Sequence, residues 1–199
     1  MLISLVGLTG SGKSTIARLL CSYNKHIIHL DIDKIAHLVL TNKDIKSKQY
    51  NAFGPTILYE NNEINRKSLG QIVFNFPEKM EILATITWPY MEDIIDKYIA
   101  NNQNKIIILD YLLLPKTKYF NQSDLRILVK ASEETRLNRI MKRDNITEEQ
   151  FYLRNSNSPE LNEEEYDYVI NTDESLSVEE RTGEIYAKSI IHRKFWPNY

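Results

Sequence analysis

The sequence predicts an α/β fold around a mainly parallel sheet, and three observations carry that prediction. Short blocks rich in Ile, Leu and Val recur as nearly continuous apolar runs, which is how strands buried on both faces read. They alternate with longer segments of helical period. The first block also runs straight into a glycine-rich turn that opens a helical pattern. Strands are expected at 2–6, 26–30, 105–109, 125–130 and 166–170. Helices are expected at 13–21, 33–40, 66–74, 78–87, 91–100, 133–143, 148–154 and 177–191. Ser132 and Thr147 each stand directly before a glutamate, at positions suited to N-caps. The stretch from about 33 to 100 holds helices and no convincing strand. It reads as a helical insertion between the second and third strands of one domain spanning 1–199, a natural place for substrate binding.

Composition narrows the function classes. With 199 residues, 42% hydrophobic and 26% charged, the chain has ordinary globular usage, so disordered, collagen-like and fibrous readings fail. At this length roughly 70% of the unfolded chain's surface can be buried in one core. The net charge of -2, from 25 basic and 27 acidic residues, gives no global field for nucleic acid or an anionic membrane. The single cysteine, Cys21, excludes an internal disulfide framework. Residues 1–6 are apolar but one strand long, with no basic flank, and no run of about eighteen apolar residues exists to cross a membrane. A soluble cytoplasmic protein is expected.

The sharpest motif is Gly7-Leu8-Thr9-Gly10-Ser11-Gly12-Lys13-Ser14, which fits G-x-x-x-x-G-K-[ST] between a strand and a helix. Its glycines let successive N–H groups turn inward at phosphate oxygens, and the helix N-terminus adds partial positive charge. Gly10, Ser11, Gly12, Lys13, Ser14 and the adjoining Thr15 are therefore expected to bind ATP. Lys13 is placed to reach the β- and γ-phosphates, and the Ser14 hydroxyl to ligate Mg2+. The alternative is a glycine-rich turn with no ligand, which the agreement of pattern and context disfavours. A guanine-specificity motif is not found.

Three further groups suit a small-molecule kinase. Asp31-Ile32-Asp33 follows the second strand at its C-terminal end, where α/β sheets place their chemistry. In strand geometry the two aspartates share a face; alternatively Asp33 begins the next helix, as a cap or as a base for an alcohol proton. Arg136, Arg139 and Arg143 recur at helical spacing, with Arg154 on the next short helix. Such a row is ordinarily a solvated face. Beside the polar hinge 144–149 it could instead serve a lid, about 140–160, that brings guanidiniums onto phosphates. Asp110 ends the run Ile106-Ile107-Ile108-Leu109, in the position of a magnesium-associated aspartate or of a simple turn former. The histidines His26, His29, His37 and His192 show no zinc-ligand spacing with cysteine. Tyr50, Phe53, Phe74 and Trp88 either line a ligand site or form the insertion's own core.

Taken in order, these residues resemble the dephospho-coenzyme A kinase family, over about residues 3–172. The match includes Gly7 to Ser14, Asp31 and Asp33 leading into Lys34-Ile35-Ala36-His37, and Phe53-Gly54. It continues through Ile64-Asn65-Arg66-Lys67-Ser68-Leu69-Gly70, Val73-Phe74, Asp124, Arg139 to Asp144, and Tyr168-Val169-Ile170-Asn171. The glycine-rich loop is generic, whereas I-N-R-x-x-L-G before V-F is much more specific. The resemblance implies a P-loop kinase core of five parallel strands, a helical acceptor domain and a lid. It implies transfer of ATP's γ-phosphoryl to the 3′-hydroxyl of dephospho-coenzyme A, a small-molecule partner, with Mg2+. It makes Lys13, Asp33 and Arg139 the catalytic expectations, Asp33 as the base and Arg139 on the lid side of the phosphate site. Arg143 joins the ATP contacts, Asp110 joins Ser14 at the metal, and Asp31, His37, Arg66 and Trp88 fall on the acceptor side. A monomer or small homo-oligomer, without nucleic acid or membrane, completes the expectation. Some positions depart from the family pattern. Trp88-Pro89 stands where His-Pro is usual, 111–115 lacks the proline and glutamate of P-L-L-f-E, and a glutamine is replaced near Ser158. Another nucleoside, nucleotide or small alcohol as acceptor, or a weakly active nucleotide-binding relative, are the alternatives these departures raise.

Overall fold

A computed structural model describes residues 1–156, 158–173 and 175–191; His192 lies outside the described residues. The chain forms two compact units. The first holds Met1–Asp31, Asn102–Phe151 and the described residues from Ser158 on. Its sheet is five-stranded and wholly parallel, ordered β2-β3-β1-β4-β5. The strands are β1 (Leu2–Val6), β2 (Ile27–Asp31), β3 (Ile106–Asp110), β4 (Leu125–Lys130) and β5 (Tyr168–Asn171). The continuous apolar runs are explained by burial: all five residues of β3 and four of five in β1 are buried. On one face Ile3, Leu5, Ile108 and Ile127 pack with Ile16, Ala17 and Leu20 of α1 (Lys13–Tyr23).

The second and third strands each end one residue later than their apolar runs suggest. Asp31 and Asp110 are register partners, so the backbone ladder continues through two carboxylate residues. The chain leaves β1 for one side of the sheet and later fills the other with β4 and β5. The C-terminal end of β1 is thereby the switch point where open α/β sheets bind ligands.

The second unit comprises Ile32–Asn101 and a short stretch following Phe151. It contains α2 (Ile32–Val39), α3 (Lys43–Phe53), α4 (Arg66–Asn75) and α5 (Pro77–Asn101). Helix α3 lies outside the sequence expectation because its buried face is Ile45 and Gln49, an amide where the period needs an apolar residue. The segments 78–87 and 91–100, expected as two helices, form the single helix α5 running through Pro89. Thr87, Met91 and Ile95 are buried at four-residue spacing, so the packed stripe crosses the proline and holds both halves on one axis. The unit's core gathers Ile57, Ile64, Leu69 and Val73. Phe53 and Phe74 pack against that cluster, which gives these two aromatics the core reading, whereas Tyr50 is 46% exposed.

The remaining helices are α6 (Lys118–Gln122), α7 (Glu133–Asp144), α8 (Glu148–Asn155) and α9 (Ser175–Ile185), the last continuing as a π-helical segment, Tyr186–Ile191. Ser132 caps α7 by accepting from the Thr135 N–H. At α8 the Thr147 hydroxyl accepts from the Gln150 N–H while the Gln150 side chain accepts from the Thr147 N–H, a reciprocal capping box. Among the described residues no helix is long and apolar enough to cross a membrane.

Candidate active site

The site assembles at the C-terminal end of β1. Gly10 has φ 84°, and a Cβ there would lie 2.9 Å from the Arg136 carbonyl oxygen, so the loop can approach α7 only without a side chain. Gly12, at φ 99°, is the N-cap of α1 and supplies no capping side chain. The helix therefore begins with its first N–H groups left for an anion rather than for its own cap. The Ser11 hydroxyl is buried with no hydrogen-bond partner among the described residues.

Lys13 donates from Nζ to the Gly7 carbonyl at 2.9 Å and lies 4.0 Å from Asp110 Oδ1. Ser14 Oγ donates to Asp110 Oδ2 at 3.4 Å. Asp110 is only 4% exposed. Lys13, Ser14 and Asp110 are thus brought together, and Asp31 pairs with Asp110 across the β2–β3 ladder. A hydroxyl and a carboxylate are hard oxygen donors. Magnesium commonly takes one or two such protein ligands and completes its shell with phosphate and water. The donor set fits that ion.

Arg139 holds the other side of the loop. Its Nη1 donates to Gly10 O at 3.2 Å and Thr172 Oγ1 at 2.8 Å, and Nη2 donates to Thr172 O at 2.7 Å. The Thr172 hydroxyl in turn donates to Ser11 O at 2.7 Å. The neighbouring Arg136 is 7% exposed, donates to Thr9 O at 3.5 Å and sits over the Phe151 ring at 5.7 Å. Burial pushes its guanidinium below the ordinary value, against the opposing pull of Glu133. Arg143, in the last turn of α7, pairs with Asp144 at 2.7 Å. Asn145 then ends the helix in the left-handed region at φ 51°.

With this geometry in place, comparison with known proteins decides the family. The dephospho-CoA kinase family model matches residues 1–177. The chain belongs to the dephospho-CoA kinase family. A dephospho-CoA kinase from Listeria innocua is 30% identical over 201 residues, covering 95% of this chain and 98% of that one. The Dehalococcoides mccartyi dephospho-CoA kinase is 31% identical over 156 residues, covering 77% of this chain and 78% of its own. A solved structure from Thermus thermophilus superposes with a TM-score of 0.78 at 25% identity, covering 94% of this chain and 96% of that chain. The protein is accordingly a kinase with a nucleotide and a small molecule as substrates.

Against the family pattern, the remaining residues fall as follows. Asp31 ends β2 and Asp33 lies in the first turn of α2, so the alternative in which both share a strand face is corrected: the helix begins at Ile32. His37 is exposed near the end of α2, and Trp88 is half-buried within α5. Thr15 is exposed on α1 and accepts from Arg18. Much of I-N-R-x-x-L-G has a structural cause. Ile64 is buried, Asn65 caps α4 by accepting from the Ser68 N–H, and Leu69 enters the core. Arg66 and Lys67 are its exposed, charged members.

His29 and Thr172 escaped the sequence reading. The His29 Nε2 lies 3.2 Å from Asp110 Oδ2, across 81 residues of chain. Thr172 touches the loop across 161 residues. Neither shows any local spacing signal. Position is the available hint: His29 lies in the last part of the expected strand 26–30, and Thr172 lies just beyond the expected strand 166–170.

Proposed function

We propose that the protein transfers the γ-phosphoryl group of ATP to the 3′-hydroxyl of dephospho-CoA. The observation that carries this reading is the meeting of Lys13, Ser14 and Asp110 beside an uncapped helix N-terminus, in a chain of this family. A bond forms between the acceptor oxygen and the γ-phosphorus while the β–γ bridging oxygen leaves with ADP. The hydroxyl proton passes to a carboxylate, for which Asp33 is the proposed base. The loop N–H groups and Lys13 oppose the charge on the transferring group and the leaving oxygen. Arg139 holds the Gly10 carbonyl and Thr172 the Ser11 carbonyl, which supports a loop whose N–H groups are left for the phosphates. Ser14 and Asp110 would hold magnesium, which supplies charge neutralisation to the phosphates when bound.

On the acceptor side, Asp31, His37, Arg66 and Trp88 are proposed to contact the substrate, with Arg66 supplying the charge for its phosphates. Arg143 is proposed to meet ATP, and the segment entered through the left-handed Asn145 to act as a lid. The residues 32–101 are proposed as the acceptor-binding part of the chain. A cytoplasmic monomer or small homo-oligomer, working without nucleic acid or membrane, suits the small net charge.

The test is an acceptor panel with ATP and Mg2+, reading ADP release and product mass. Dephospho-CoA should gain one phosphoryl group in preference to adenosine, AMP or uridine. A second reading, another alcohol as acceptor, is favoured by Trp88, since indole is bulkier than imidazole and has no acceptor nitrogen. Turnover of a nucleoside or nucleotide by both the parent and Trp88→His, with dephospho-CoA ignored, would establish that second reading.

A further inference from the structure

We propose that His29 is a positioning residue for the metal-side carboxylate, fixing Asp110 through a hydrogen bond from its Nε2. The inference rests on the reading of Asp110 as a magnesium-associated group, and it adds a residue that neither the loop motif nor the family pattern supplied. Side chains alternate along a strand, so His29 and Asp31 project from the same face of β2. The register pairs His29 with Ile108 and Asp31 with Asp110, which sets His29 and Asp110 as diagonal neighbours on that face. The imidazole spans the diagonal, bringing Nε2 to 3.2 Å from Oδ2. The His29 side chain is 20% exposed and that of Asp110 5%.

An ionised carboxylate only accepts hydrogen bonds, so Nε2 carries a proton whether the ring is neutral or charged. The arrangement therefore needs no change of protonation to work. Without His29, Oδ2 would keep, among the described residues, only the 3.4 Å contact from Ser14, with Lys13 standing 4.0 Å from Oδ1. Rotation about the terminal torsion of aspartate is soft. A second donor on Oδ2 pins the carboxylate plane and leaves Oδ1 on the side of Lys13. Partners of this kind, one step removed from a metal, typically change metal affinity or activity by about 10–100-fold when lost.

The test is calorimetric titration of ATP into the whole protein, with Mg2+ and again with EDTA, for the parent, Asp110→Asn, His29→Val and His29→Gln. Valine is at home in a strand and cannot donate; glutamine presents an amide N–H at nearly the reach of Nε2. His29→Val should bind ATP in EDTA within about twofold of the parent, yet lose about tenfold or more of the magnesium-dependent gain in affinity. His29→Gln should recover most of that gain, with kcat following. A full magnesium gain in His29→Val overturns the proposal, as does a His29→Gln protein as defective as the valine variant, which would mean packing rather than donation. Loss in Asp110→Asn but not in His29→Val removes His29 alone. A parent with no magnesium gain removes the reading of Asp110 and this inference with it. Should His29→Val not fold, His29→Thr, too short to reach Oδ2, serves in its place with the same two outcomes.

Discussion

Arg139→Ala is the substitution for which the structure gives the fullest arithmetic. The guanidinium makes three hydrogen bonds, to Gly10 O, Thr172 Oγ1 and Thr172 O. It thereby ties the phosphate loop after β1 to the residue that follows β5. All three acceptors are neutral and the residue is exposed, so each bond is worth about 0.5–1 kcal/mol, roughly 2 kcal/mol together. In a chain of this size that corresponds to a fall of about 4–8 °C in Tm. Removing the tie also frees the Gly10 carbonyl, so ATP must close a looser loop. If the whole 2 kcal/mol is spent there, ATP affinity falls by about 30-fold. Arg139→Lys keeps the charge but not the fork that serves Thr172 twice, and should recover only part of both losses. Calorimetric melting, ATP titration and steady-state rates on the three proteins check this. A Tm within about 1 °C of the parent, together with unchanged ATP affinity, would refute the tie. A loss of kcat alone would then assign Arg139 to the transferring phosphoryl group instead.

Three further substitutions probe separate parts of the molecule. Lys13→Ala should reduce kcat/KM by about 10²-fold or more, because among the described residues no other lysine or arginine pairs with Asp110; a rate within about twofold of the parent would sink the loop assignment. Asp33→Asn should lower kcat by roughly 10²–10⁴ with ATP affinity nearly unchanged, while a normal kcat would make Asp33 a first-turn residue of α2 and turn attention to Asp31. Gln49→Leu should raise Tm by about 2–12 °C, since neither atom of this fully buried amide has a hydrogen-bond partner among the described residues and an orphaned buried polar group costs about 1–3 kcal/mol; a lowered Tm would mean the amide is satisfied in solution.

Gln49 also marks where the sequence ceases to be legible. The sheet could be read because β3 is buried throughout and β1 at four of its five positions, and burial writes itself as runs dominated by Ile, Leu and Val. Helix α3 could not, because one of its two buried positions is an amide and the helical period vanishes with it. The expectation of two helices, 78–87 and 91–100, leaves out the turn around Pro89, whereas Met91 and Ile95 continue the stripe begun by Thr87 and tertiary packing carries the helix through the proline. The five residues of α6 are too few for any period to register.

The candidate site divides along the same line. Lys13, Ser14 and the loop glycines are contiguous, so a spacing pattern captures them whole, and Asp110 follows from the end of an apolar strand. The residues that hold this machinery in shape are remote in sequence: His29 on Asp110, Thr172 on Ser11, Arg139 on Gly10. Each contact exists because strand register or helix packing brings two distant positions together, and no window along the chain contains both partners. The I-N-R-x-x-L-G run is specific enough to point to a family, yet Ile64 and Leu69 are core and Asn65 is a cap, so the recognition signal is mostly the signature of a helix start. Arg66 and Lys67 are the charged members of that run, both exposed on the first turn of α4 with no packing role to explain them, and the proposed contact of Arg66 with the substrate is the part of the motif that the fold does not account for.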